Sequence, residues 1–311
     1  MKKIVVRSFI NKVKQQKVFL LFLLPGVLAF VLFTYLPMMG LLMAFQKYSP
    51  FKGFFKSPFV GFDMFIKIFN YPDFMTALKN TLVISTMKLI VCFPAPIIFA
   101  LLLNDIGRKN FKKTVQTISY LPYFISWVVA AGLWYKLLSV DGGVVNELLM
   151  KTNIIQVPYA FLQSRGWFYV IVLLTELWKS MGFNAIIYLA ALASIDVEQY
   201  EAAIMDGAHR LQRMWYISLP GIKGTIILLF ILTVSNLLNA GFDQMQTMMN
   251  LAVKDVADII DTLVLRTLQM QSSMDSYSLG AAMGFFKSTV GLLLFIIVNE
   301  ISKRTMNESL I

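Results

Sequence analysis

Apolar residues run along this 311-residue chain in blocks far longer than the stripes of a water-soluble helix, and polar residues are gathered between them. A bilayer core takes roughly 20 apolar residues per helix, and six blocks approach that length: 18–39, 81–103, 118–139, 167–193, 224–241 and 280–300. Pro37, Pro94, Pro96 and Pro122 lie inside them and predict kinks, tolerable in lipid because neighbouring helices and water can satisfy the freed carbonyls. The pattern predicts an all-α, polytopic membrane protein with about six transmembrane helices. It divides into a basic N-terminus (1–17), one transmembrane domain (18–300) and a short tail (301–311). No short repeat, low-complexity tract or soluble second domain interrupts it.

Composition agrees with solvation by lipid, since 58% of residues are hydrophobic and only 14% are charged. The net charge of +11 leaves nucleic acid, an anionic membrane surface and acidic substrates open until the cations are placed. With the N-terminus inside, the inner segments 1–17, 104–117, 194–223 and 301–311 hold 15 Lys and Arg in 72 residues, against 9 in 98 for the outer ones. That bias predicts an N-in, C-in topology and makes the charge a topology determinant. The N-terminal Ile4, Val5, Val6, Phe9, Ile10 and Val13 alternate with Lys and Arg, a pattern for an amphipathic helix in the inner interface. The apolar run after it is too long for a secretory signal and lacks a small-residue cleavage site.

One His and one Cys leave no Ser/His/Asp, Cys/His or metal-binding constellation, so the chain is expected to have no catalytic residues and no metal site. Cys92, inside an apolar run, is expected to be packing. His209 has no second ligand at metal spacing and is expected to face a partner or solvent. A phosphate-cradling G-x-x-x-x-G-K-[ST] loop is also missing, so an ATP-driven process would need another polypeptide.

The polar segment 194–223 is too ordered in composition to be a tether. Asp196 followed by Gln199 suggests a capping box opening one helix through Met205, and Gly207 suits a sharp turn. A second helix over about 208–217 would place Leu211, Trp215 and Leu219 on one face, ended by Pro220. Two short helices at a glycine bend make a stiff knob able to transmit displacement.

Glu201-Ala202-Ala203, three residues, Gly207, nine residues, Ile217, one residue and Leu219-Pro220 reproduce the EAA motif, so the chain resembles the permeases of ABC importers. Asp206 before Gly207 fits the carbohydrate branch. Weaker likenesses to permeases for complex oligosaccharides and polygalacturonan run along most of the chain: Val60-Gly61-Phe62-Asp63, Ala77-Leu78-Lys79-Asn80-Thr81, Gly241-Phe242-Asp243-Gln244, Ala257 to Thr262 and Gly284 to Ser288. The resemblance implies a type I ABC importer permease fold in a bacterial plasma membrane. It further implies import of an oligosaccharide delivered by an extracellular binding lipoprotein, a second homologous permease in a heterodimer, and two ATPase subunits. Those subunits would bind ATP and Mg, with no cofactor on this chain. Glu201, Ala202, Ala203, Asp206, Gly207, Ile217, Leu219 and Pro220 would then form the coupling helices docked on an ATPase.

Polar residues inside spans are costly and mark candidate pathways. In the fourth block Glu176, Lys179, Ser180 and Phe183 follow helical spacing beside Asn184; in the fifth, Thr233, Asn236, Ala240 and Asp243 do so beside Asn239. Amides and carboxylates suit sugar hydroxyls and Phe183 suits a ring face, whereas the same residues can also glue helices together. Glu176 and Lys179 could pair along their helix. Lys88 and Lys287 would either snorkel outward or form an electropositive vestibule for acidic sugars. The alternative function is a secondary transporter or channel for a small polar solute without an ATPase, which would need an inverted repeat and discontinuous helices. Neither is visible in the sequence.

Overall fold

A computed structural model of the chain describes residues 16–270 and 275–306. The expected interfacial helix within 1–17 and the end of the tail lie outside them. Among the described residues every regular element is a helix, with one isolated antiparallel bridge between Gln46 and Phe59.

Four helices are long and apolar enough to cross a membrane: α1 (Lys17–Phe45), α2 (Pro72–Asn104), α3 (Arg165–Ala193) and α4 (Ser276–Arg304). Two bent pairs bring the total to six if each crosses once, which returns both ends to the same side. One joins Lys109–Phe124 to Trp127–Leu138 at 104°, the other joins Arg210–Gly221 to Lys223–Ser235 at 62°. Two expected spans therefore need correction. The block 118–139 is not one continuous helix, because Pro122 removes a donor and Ile125 is extended. Ser126 then caps a new helix, its hydroxyl accepting from the Val129 N–H at 3.3 Å. The block 224–241 stops being helical at Ser235. Helical discontinuity, masked along the chain by uniform apolarity, is thus a property of this fold.

Prolines act where they were expected to bend the chain, though by different devices. In α2 the ladder breaks at Cys92 and Phe93 ahead of Pro94. In α1 a π-turn, Val31–Tyr35, precedes Pro37, and the Leu36 N–H reaches back five residues to the Val31 carbonyl. Widening the turn is how a helix accommodates a proline ring against the previous turn. The same device recurs at Met214–Ser218 ahead of Pro220, so Pro220 does not end its helix, which runs on to Gly221.

The second span also starts earlier than its apolar run, at Pro72, the favoured first helical position for proline. Its polar first turns are held by partners rather than lipid: Asn80 Nδ2 donates to the carbonyls of Asp255 and Asp258 at 2.8 and 3.0 Å. Three clusters position the site. Phe74, Ala77, Ile260 and Met283 join α2 to α4 at one end; Ile84, Phe168, Val172 and Met245 join α2 to α3 in the middle; Ala100, Ala185, Tyr188 and Ile222 join them at the other end.

Candidate functional site

The loop after α3 forms α5 (Val197–Met205), capped by Asp196, whose Oδ1 accepts from the Glu198 N–H at 3.0 Å. The reciprocal capping box lies one helix later than expected, at His209 and Gln212, opening Arg210–Arg213. His209 is therefore a helix cap. Between the helices Gly207 takes φ +78°, a left-handed turn that favours glycine. Asp105, at the end of α2, reaches Arg210 Nε at 3.4 Å and Arg213 Nη2 at 3.5 Å, and Tyr200 OH pairs with Ser218 Oγ at 2.9 Å. The sequence reading missed Asp105 and Tyr200, whose roles depend on contacts between segments far apart in the chain.

These braces leave Glu201, Ala202, Asp206, Gly207 and Pro220 exposed and Ala203, Ile217 and Leu219 half-buried. Met205 and Trp215 stand out from the surface at 86% and 65% exposure, so the knob presents an apolar tip beside Glu201. Its second helix enters α6 (Lys223–Ser235) through the 62° bend at Ile222, whose side chain is buried.

The polar stripe on α3 divides between two sides of the helix. Glu176, Ser180 and Asn184 line a cavity of about 510 Å³ between α2, α3 and α6, together with Ser85, Lys88, Cys92, Thr233, Asn236 and Asn239. Cys92 thus borders open space as well as packing. Lys179 and Phe183 turn the other way. Lys179 Nζ donates to the carbonyls of Pro122, Tyr123 and Ile125, and lies 5.5 and 5.4 Å from the rings of Tyr123 and Trp127. A cation on these last carbonyls caps the helix that ends at the third-span break. Phe183 stacks on Tyr123, with ring centroids 3.8 Å apart.

The second stripe is not a stripe. Thr233 lies in the last turn of α6, Asn236 and Asn239 sit in the non-helical stretch that follows, and Gly241 at φ +95° turns the chain into α7 (Phe242–Met248). Asp243, on α7, borders a separate cavity of about 620 Å³ with Lys179 and Trp127. Ala240 is fully buried and contributes its carbonyl rather than its methyl group.

That carbonyl is held by Lys88. Its Nζ lies 2.9 Å from Glu176 Oε2, 2.9 Å from the Ala240 carbonyl and 2.5 Å from Gln244 Oε1. Gln244 passes the connection on to α3 by donating to the Val172 carbonyl and Thr175 Oγ1 at 2.8 and 2.7 Å. The expected Glu176–Lys179 pair gives way to Glu176–Lys88. Lys88 neither snorkels nor stands as free charge, and Lys287 pairs with Asp261 at 2.6 Å. An electropositive vestibule built on these two lysines does not form.

Comparison with known proteins follows the same lines. Residues 92–307 match the family described as binding-protein-dependent transport system inner membrane component. The chain is 44% identical over 303 residues to protein LplB of Bacillus subtilis, covering 97% of this chain and 94% of that one. It is 42% identical over 309 residues to the polygalacturonan/rhamnogalacturonan transport system permease protein YteP of the same organism, covering 98% and 93%. Its structure superposes with a TM-score of 0.86 on a chain of a bacterial ABC transporter involved in the import of the acidic polysaccharide alginate. That match has 36% identity and covers 96% of this chain and 99% of the other.

Proposed function

This chain belongs to the family of binding-protein-dependent transport system inner membrane components, and on that premise we propose that it forms half of the path by which a bacterial ABC importer takes an oligosaccharide across the plasma membrane. A binding protein outside would deliver the sugar, a second, similar permease would complete the path, and two ATPase subunits holding ATP and Mg would drive it. The observation that carries this reading is the knob at 194–223. It is capped at both helices, braced to α2 through Asp105, apolar at its exposed tip, and joined without slack to α6.

Stiffness is what makes it a coupler. A displacement of Glu201 reaches α6 as a tilt about Ile222, and α6 carries Thr233 on the cavity wall. The wall opposite is α3 with Glu176, Ser180 and Asn184, and α2 with Ser85 and Lys88. Relative tilt of these helices opens or narrows a chamber lined by amides, hydroxyls and an ion pair, the chemistry that replaces water around sugar hydroxyls. Relatives named for transport of polygalacturonan/rhamnogalacturonan and of arabinooligosaccharides support an oligosaccharide as cargo.

Discontinuous helices are also a mark of secondary transporters, but family membership places these breaks in an importer permease. Purification of the detergent-solubilised chain with its co-expressed partners tests the assignment. The wild type retains an ATPase subunit; Glu201→Lys, which reverses charge at the exposed knob, loses it. Absence of an ATPase from the wild-type preparation and identical behaviour of the variant would refute the reading.

A further inference from the structure

The first outer segment carries a surface that neither the cavity nor the knob uses. Residues 46–59 hold three lysines and no carboxylate. They fold back on themselves: the Lys47 N–H donates to the Pro58 carbonyl at 2.9 Å, the Ser49 N–H to Ser57 Oγ at 3.1 Å, and Gln46 Nε2 to the Phe54 carbonyl at 3.0 Å. At the tip of this braced loop Phe51 is fully exposed and Phe55 is 94% exposed. Lys52 and Lys56 stand exposed beside them, and no carboxylate of the described residues pairs with either. A slack segment could fold two such rings away from water. A hydrogen-bonded one holds them out, which marks a surface shaped for contact.

Two rulers place the loop at the outer edge of the bilayer. α1 runs 29 residues from Lys17 to Phe45, about 43 Å at about 1.5 Å per residue. The hydrocarbon core is about 30 Å thick, or about 40–45 Å with both headgroup layers, so a helix that starts at the inner surface delivers its last turn to the outer headgroups. Independently, the Tyr48 N–H donates to Ser278 Oγ at 2.9 Å. Ser278 precedes the apolar run of α4 at 280–300 by about 3 Å of helix. The loop therefore leaves α1 and touches α4 at headgroup depth. Beneath it, residues 17–38 of α1 include none that is buried, so this flank of the subunit is open to lipid.

We propose that this loop is a membrane anchor on the outer face: Phe51 and Phe55 enter the boundary between headgroups and acyl chains, and Lys52 and Lys56 hold the phosphates of anionic lipid. Aromatic rings favour that boundary, and apolar groups flanked by cations bind it through burial and charge together. A lipid surface satisfies all four side chains at the depth that both rulers give. The anchor is separate from the cavity and independent of the cargo. Through the bond from Tyr48 to Ser278 it holds α1 and the start of α4 at one depth while the knob tilts α6.

The test places the complete transporter, this chain with its partner subunits, in vesicles of phosphatidylcholine with about one-fifth phosphatidylglycerol. Phe51 and Phe55 are replaced in turn by the photoreactive p-benzoylphenylalanine, which keeps an aromatic ring at an exposed position. After irradiation, with and without binding protein, the adducts of this chain are identified by mass spectrometry. Lipid adducts form at both positions in either condition. Among them the ratio of phosphatidylglycerol to phosphatidylcholine exceeds that of the bilayer by about fivefold, the effect of one lysine at an anionic surface. Lys52→Gln combined with Lys56→Gln keeps the lipid adducts and returns the ratio to that of the bilayer. Adducts with the binding protein or the second permease in place of lipid, or no adduct at either position, overturn the anchor. A ratio equal to the bilayer's with both lysines present, or one that the double variant leaves unchanged, overturns the role given to Lys52 and Lys56.

Discussion

Replacing Lys88 by Met removes the one group that ties α2, α3 and the segment before α7 together, and its cost follows from what is left behind. Glu176 keeps a donor in Ser180 but loses its counter-charge, and the Ala240 carbonyl and the buried Gln244 Oε1 each lose the donor that Lys88 gave them. Breaking a buried ion pair from one side costs about 3–5 kcal/mol. Glu176 is 22% exposed, which places its share near the lower bound. Each unsatisfied buried acceptor adds about 1–3 kcal/mol, and the lower bound for the two is about 2 kcal/mol. Lys88→Met is therefore expected to destabilise by about 5 kcal/mol. In the double variant Lys88→Met, Glu176→Met the stranded charge is gone and the two stranded acceptors remain, so the cost falls to about 2 kcal/mol. The order of stability is thus wild type, then double variant, then single variant. Thermal unfolding of the purified chain in one detergent at one scan rate reads that order. A double variant less stable than Lys88→Met, or a Lys88→Met indistinguishable from wild type, would refute the claim that the pair holds these helices together.

Three further outcomes follow from the geometry. Gly241→Ala places a side chain at φ +95° with its Cβ 2.7 Å from Lys88 Nζ, so about 1–3 kcal/mol of backbone strain and a displaced ammonium should lower both thermal stability and transport. Asp105→Asn weakens ion pairs to Arg210, which is 77% exposed, and to Arg213, which is 18% exposed. Stability should fall by only about 0.5–1 kcal/mol, whereas ATP hydrolysis by the full complex should become less dependent on substrate-loaded binding protein as the knob loosens. Cys92, the single cysteine of the chain, borders the cavity, so a small neutral thiol reagent should label it and saturating transported sugar should slow labelling, as followed by mass spectrometry of this chain. Labelling unaffected by sugar would place the substrate elsewhere.

Several features were legible along the chain because their physics is local. The need for about 20 apolar residues to cross lipid located the long helices. Gly207 announced its left-handed turn through its missing side chain, and the spacing from Glu201 to Pro220 identified the family later matched over residues 92–307. Even the third-span break had its signals present in Pro122 and Ser126, although apolarity alone hid it.

What only the tertiary structure decided depends on which distant groups meet. Helical spacing put Glu176, Lys179, Ser180 and Phe183 on one broad face. The neighbours of α3 on either side then drew Lys179 and Phe183 to the third-span break and left Glu176 and Ser180 to the cavity. The second stripe assumed that helix continued past Ser235; a left-handed glycine and a carbonyl held by Lys88 ended that continuity. Lysines in apolar runs announce only that their charge needs an answer. Because Coulomb attraction and hydrogen bonding act across space, Glu176 answers Lys88 from 88 positions away in the chain, and no periodicity within either helix records it.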